Sequence, residues 1–131
     1  MTNLFYSQTS GKMTKEDGTL VATGWAGNDK RPDVNPNNIH GKNNPEAQNI
    51  RCIGPLPQGT YSVGSWGTHS VGPNSAPLTQ TSGETFGRSA FYIHGPGTTT
   101  YGEDSEGCIV IPRTDRMKVI ALNPTQLTVT V

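Results

Sequence analysis

Apolar residues in this chain come in short clusters, each bounded by Gly, Pro, Asn or Asp, and that punctuation points to a β-rich fold. Strands are expected over residues 4–8, 19–23, 60–66, 90–94, 108–111 and 126–131. Asp17-Gly18 has the chemistry of a tight hairpin turn. One helix is expected: Thr114 or Asp115 caps a stretch through Leu122, Met117, Ile120 and Ala121 share one face, and Asn123-Pro124 stops it. With 16 Gly, 10 Pro and 31% hydrophobic residues, composition alone would suit a flexible linker, so the clustering decides the matter. The expectation is a mainly β sandwich or barrel with one short helix, a single domain over residues 1–131. A chain this long buries roughly two thirds of its unfolded surface and needs no staple to fold.

Charge excludes some partners. The formal net charge is zero and the isoelectric point about 6.8, which gives no electrostatic grip on nucleic acid or an anionic membrane. No window approaches the roughly 20 apolar residues of a membrane span. The start, Met1 to Gln8, has neither a basic region nor an apolar core, so no signal peptide and no export by the general route are expected.

The chemistry concentrates in Phe91-Tyr92-Ile93-His94-Gly95 and Ser105-Glu106-Gly107-Cys108-Ile109-Val110-Ile111. A histidine ends one apolar strand and a cysteine opens the next with Gly just before it. These are the parts of a thiol nucleophile, its base and a backbone oxyanion site. Taken alone, Cys108 would read as a small buried hydrophobe starting a core strand. The histidine and the Ser-x-Gly approach favour the nucleophile. A Cys52–Cys108 disulfide would block it, and two histidines and two cysteines without Cys-x-x-Cys or His-x-x-x-His spacing make a poor zinc site. Neither metal nor organic cofactor is expected.

Residues 27–50 carry seven Asn and three Pro with few apolar side chains, the pattern of a covering or partner-binding loop or of a plain surface excursion. Ile39-His40-Gly41 there echoes Ile93-His94-Gly95, and Cys52 follows. No β-like run precedes His40, however, and Ile50-Arg51 offers no glycine to turn amides toward an oxyanion. His69 stands in a Gly/Ser-rich turn, either solvated or lining a pocket. Glu103, Asp104 and Glu106 oppose thiolate formation if they lie close to Cys108, and can also steer a cationic amine.

Papain-like enzymes run cysteine first and histidine far downstream, whereas here the base precedes the nucleophile. His-Gly followed by Ser-x-Gly-Cys resembles the L,D-transpeptidase signature, and specifically its small branch of type VI secretion effectors. Gly54-Pro55-Leu56-Pro57-Gln58-Gly59-Thr60-Tyr61 is similar to that family's Pro-x-Gly-x-Tyr/Phe strand opening. Leu4-Phe5-Tyr6-Ser7-Gln8, Asp17-Gly18 and Gly24-Trp25-Ala26-Gly27 resemble the start of the effector branch. The larger family carries Arg two positions after the cysteine, where this chain has Val110, and the nearest arginine is Arg113.

The resemblance implies an L,D-transpeptidase-like catalytic domain in which Cys108 attacks, His94 is the base, the Gly95 carbonyl orients it, and Gly107 and Cys108 amides hold the oxyanion. Ser105 completes the catalytic set by shaping the turn, and His69, Tyr92 and Arg113 are the expected substrate contacts. It also implies a peptidoglycan stem tetrapeptide as substrate, cut as an L,D-carboxypeptidase or exchanged as an L,D-transpeptidase. Delivery by a type VI apparatus into a rival's periplasm and a cognate immunity protein follow from the same likeness. A catalytically inactive module holding peptidoglycan or a partner in the same cleft stays open, as does a thiol peptidase or amidase cutting another stem bond. Fast labelling by a cysteine probe at neutral pH is the expected sign of a poised thiolate.

Overall fold

The structure, a computed structural model, describes residues 3–27, 40–50, 53–96 and 107–131. Its strands are β1 (Asn3–Ser7), β2 (Lys12–Lys15), β3 (Leu20–Thr23), β4 (Trp25–Ala26), β5 (Gly59–Val63), β6 (Gly67–His69), β7 (Gly72–Gly83), β8 (Phe91–His94), β9 (Ile109–Val110) and β10 (Gln126–Thr130). Among the described residues there is one α-helix, α1 (Arg113–Leu122), between β9 and β10, and a short 3-10 turn at Pro45–Ala47. The strands join in the order β3-β2-β1-β10-β5-β7-β8-β9-β4, with β6 paired to β7. Its two edge strands, β3 and β4, are separated in sequence only by Gly24, so the sheet curls on itself into a nearly closed barrel. That juncture demands glycine, because a Cβ on Gly24 would fall on the Val110 carbonyl. The mainly β domain with one short helix agrees with the sequence reading.

Alternation builds the core. Leu4 and Tyr6 on β1 pair in parallel with Leu127 and Val129 on β10, and Tyr61 of β5 faces Leu127 from the other side. All five side chains are buried in one cluster with Leu78, Phe91, Ile93, Ile109 and Ile111. Each of the buried Leu, Val, Ile and Phe side chains contributes roughly 1.5–3 kcal/mol. The Asp17-Gly18 turn forms as read, with Gly18 at φ +88° and the Thr19 N–H donating to Asp17 Oδ1 at 2.9 Å, and it joins β2 to β3.

Helix α1 begins at Arg113 behind Pro112, one residue before the expected caps, and ends at Asn123 in the left-handed conformation. Its buried side chains are Arg116 and Val119, while Ala121 is exposed and Met117 and Ile120 are half-buried. The expected face is therefore wrong by one helical step. An arginine occupies the inward position because it packs against Gly95 rather than against the apolar core.

The described part of the Asn-rich segment, residues 40–50, covers an edge. The Asn43 N–H donates to the Ala26 carbonyl at 2.8 Å, and its Oδ1 accepts from the Ala26 N–H at 3.1 Å, so β4 is not left exposed to pair with another chain. Lys42 Nζ stands 5.0 Å from the Trp25 ring centroid. His40 is exposed on this strap, and Cys52 lies outside the described residues. No helix among the described residues is long and apolar enough to cross a membrane.

Candidate active site

Parallel pairing of β8 with β9 sets Ile93 beside Ile109 and His94 beside Val110. Phe91 and Ile93 point into the core, so Tyr92 and His94 take the opposite face of β8. Cys108 stands just ahead of β9, and its sulfur lies along β8: Sγ accepts the Tyr92 N–H at 3.3 Å and is 3.6 Å from the Ala90 carbonyl. The thiol is thus held against the strand that carries His94. His94 follows two residues along that strand from the Tyr92 N–H that holds the sulfur, a rise of roughly 7 Å.

His94 is 6% exposed, and its Nδ1 makes a 2.8 Å hydrogen bond to the Gly95 carbonyl. A carbonyl oxygen only accepts, so Nδ1 carries the hydrogen, and in the neutral ring Nε2 is left with the lone pair a base needs. The backbone supports this arrangement, since the Ile111 N–H donates to the His94 carbonyl at 2.9 Å. Position 95 requires glycine, because a Cβ there would fall on the Arg116 guanidinium, which donates from Nη1 to the Ile111 carbonyl at 2.9 Å. Burial, reinforced by the neighbouring Arg113, lowers the pKa of Arg116.

Gly107 adopts φ +127°, where a side chain is strained, and a Cβ would meet Arg88 Nη2 and, at 3.2 Å, Phe91 Cε1. The ring of His69, on β6, stacks at a tilt on that of Tyr92, with centroids 5.7 Å apart, and so joins the face that carries His94. His69 Nε2 also lies 3.1 Å from the Ser65 carbonyl. Arg113 opens α1 on the exposed surface. Ser105, with Glu103, Asp104 and Glu106, lies outside the described residues. Among the described residues, no three of His, Cys, Asp or Glu converge as a metal site.

Arg88 and Arg116 escaped the sequence reading because single arginines in polar stretches look like surface cations. The available signal was indirect: each of the glycines flanking the His94–Cys108 pair leaves a space that something large must fill.

The Cys108 thiol is buried. Burial pushes its pKa up from 9.0 to about 11, opposed by the Tyr92 N–H and by the charge of Arg88. A raised thiol pKa means that the proton stays on at neutral pH, so the resting group is a neutral thiol. The expected poised thiolate is therefore replaced by a thiol that keeps its proton at neutral pH. Two units above the ordinary value leave about 100-fold less thiolate at pH 7. In a Cys52→Ser background, iodoacetamide should label Cys108 about 100-fold more slowly at pH 7 than it labels an ordinary thiol, with the rate rising about tenfold per pH unit. A rate already at its plateau below pH 8 would contradict this environment.

A family model described as the Tlde1 domain matches residues 37–130, which span every group of this site and leave β1 to β4 outside the match. No curated protein and no solved structure matches the chain.

Proposed function

The chain belongs to the Tlde1-domain family of type VI secretion effectors, and from that membership we propose a cysteine acyltransferase acting on the stem peptides of peptidoglycan. The observation that carries this reading is the His94 Nδ1 bond to the Gly95 carbonyl, 2.8 Å long, on the strand that also holds the Cys108 thiol. It leaves Nε2 as a base and makes main chain the orienting third member of the group.

In the proposed reaction, His94 Nε2 takes the thiol proton as Cys108 Sγ attacks the amide carbonyl following the third residue of a stem tetrapeptide. The Gly107 and Cys108 amides steady the oxyanion. The C–N bond then breaks, the imidazolium returns its proton to the leaving amine, and D-alanine departs from a thioester on Cys108. A neutral, buried thiol suits this order of events, because proton transfer is coupled to attack. Water activated by the same imidazole releases tripeptide, whereas a D-amino acid releases an exchanged tetrapeptide. His69 and Tyr92 form the wall against which the stem lies, and Arg113 is the candidate for its carboxylate. As an effector, the protein would act in the periplasm of a target bacterium and be countered in the producer by an immunity protein occupying this cleft.

Mass analysis of purified disaccharide tetrapeptide, incubated with and without D-Met, tests the reading. Tripeptide is expected without added amine, and D-Met should divert the product to exchanged tetrapeptide as its concentration rises. Products cut elsewhere in the stem would replace this reading with a peptidase or amidase, and no change in the muropeptide would replace it with a binding module.

A further inference from the structure

Arg88 lies just ahead of β8 and is only 6% exposed. Its guanidinium reaches three main-chain carbonyls: Nη1 donates to Pro55 at 2.7 Å and to Gln48, and Nη2 donates to Gly54 at 2.9 Å. Gln48 is also held by its side chain, whose Oε1 accepts the Gln58 N–H at 2.9 Å and Gln8 Nε2 at 3.2 Å. The same Nη2 occupies the space a side chain on Gly107 would need, and the guanidinium carbon sits 5.5 Å from the Phe91 ring centroid. One cation therefore touches the carbonyls of Gln48, Gly54 and Pro55, the residue before the nucleophile, and the strand whose backbone holds the thiol.

We infer that Arg88 is the positioning residue of the nucleophile turn, its planar fork tying the carbonyls of Gln48, Gly54 and Pro55 to Gly107 and setting a positive charge behind Cys108. This rests on Cys108 being the nucleophile. An arginine suits the role where a lysine does not, because a rigid fork holds several carbonyls at once while an ammonium is a point charge on a flexible stem. The charge has its own effect, since it holds the thiol below where burial alone would put it. Among the described residues, Arg88 is the charge that acts on the thiol; Glu103, Asp104 and Glu106 of the preceding segment lie outside the described residues.

The test compares Arg88→Met and Arg88→Lys with the parent protein in a Cys52→Ser background, each checked for folding by circular dichroism. Iodoacetamide labelling of Cys108 at pH 9 should slow about tenfold in Arg88→Met and stay within about threefold in Arg88→Lys, because a one-unit rise in thiol pKa removes tenfold of the thiolate. Release of D-alanine should fall about tenfold or more in both, since lysine restores the charge but not the fork. Unchanged or faster labelling in Arg88→Met would reduce Arg88 to a plug in the fold. Labelling of Arg88→Lys as slow as that of Arg88→Met, or full turnover in Arg88→Lys, would also overturn the inference. Arg88→Lys decides the matter even if Arg88→Met does not fold. Labelling needs no stem peptide, so a parent protein inert toward muropeptides would sink the proposed function while these rates still judged the charge of Arg88.

Discussion

Cys108→Ala is expected to reduce D-alanine release from tetrapeptide muropeptides by at least about 10³-fold, and His94→Ala to reduce it by a similar factor. On the proposed mechanism, nucleophile and base act as a unit, so the double variant should be little worse than either single one. Stability should move far less. Cys108 fills a small site on β8, and losing its sulfur costs on the order of 1 kcal/mol. His94→Ala removes the ring that bonds the Gly95 carbonyl, but the backbone pairing of β8 with β9 remains. The measurement is the initial rate of D-alanine release alongside the melting temperature of each variant. A Cys108→Ala protein that still turns over would move the chemistry elsewhere, with Cys52 as the residue to examine next.

Gly107→Val should be the second most damaging change, lowering the rate about 10²- to 10³-fold, as loss of one oxyanion donor does. Here the geometry adds a stability cost. At φ +127° any side chain is strained, and this one would press on Arg88 and Phe91, so about 1–3 kcal/mol of destabilisation should accompany the loss. Because both quantities fall together, rates must be compared on folded protein well below the melting transition. A folded variant with the full rate would remove the oxyanion role from this turn, whatever its melting temperature.

Much of the sheet was legible because its core strands carry clean signals. β1, β5, β8, β9 and β10 lie where apolar or β-branched residues cluster, and the β2–β3 turn has Asp-Gly. The long strand β7 was missed: only Ala76 and Leu78 mark its core, and Pro77 and the surrounding Ser, Thr and Asn read as turn. β2 was missed for the same reason, with Met13 its one buried side chain. The parallel pairings β1–β10 and β8–β9 join segments far apart or separated by a loop, and local pattern does not encode them.

At the candidate site, His94, Gly95, Gly107 and Cys108 were readable as a motif, and their spatial grouping follows from one strand pair. His69 was ambiguous until the β6–β7 hairpin stacked it on Tyr92. The electrostatic state of the thiol was not readable, since it depends on burial. That burial, together with the Tyr92 N–H and Arg88, exists only in the folded chain.

The most direct test of the account is the covalent intermediate. Enzyme mixed with excess tetrapeptide muropeptide, quenched in acid and digested, should yield a Cys108 peptide heavier by the muropeptide less its terminal D-alanine, the mass of a thioester formed as that amine leaves. The same adduct should disappear when D-Met is added before the quench. An adduct on any other residue, or D-alanine release that continues undiminished in Cys108→Ala, would contradict the account.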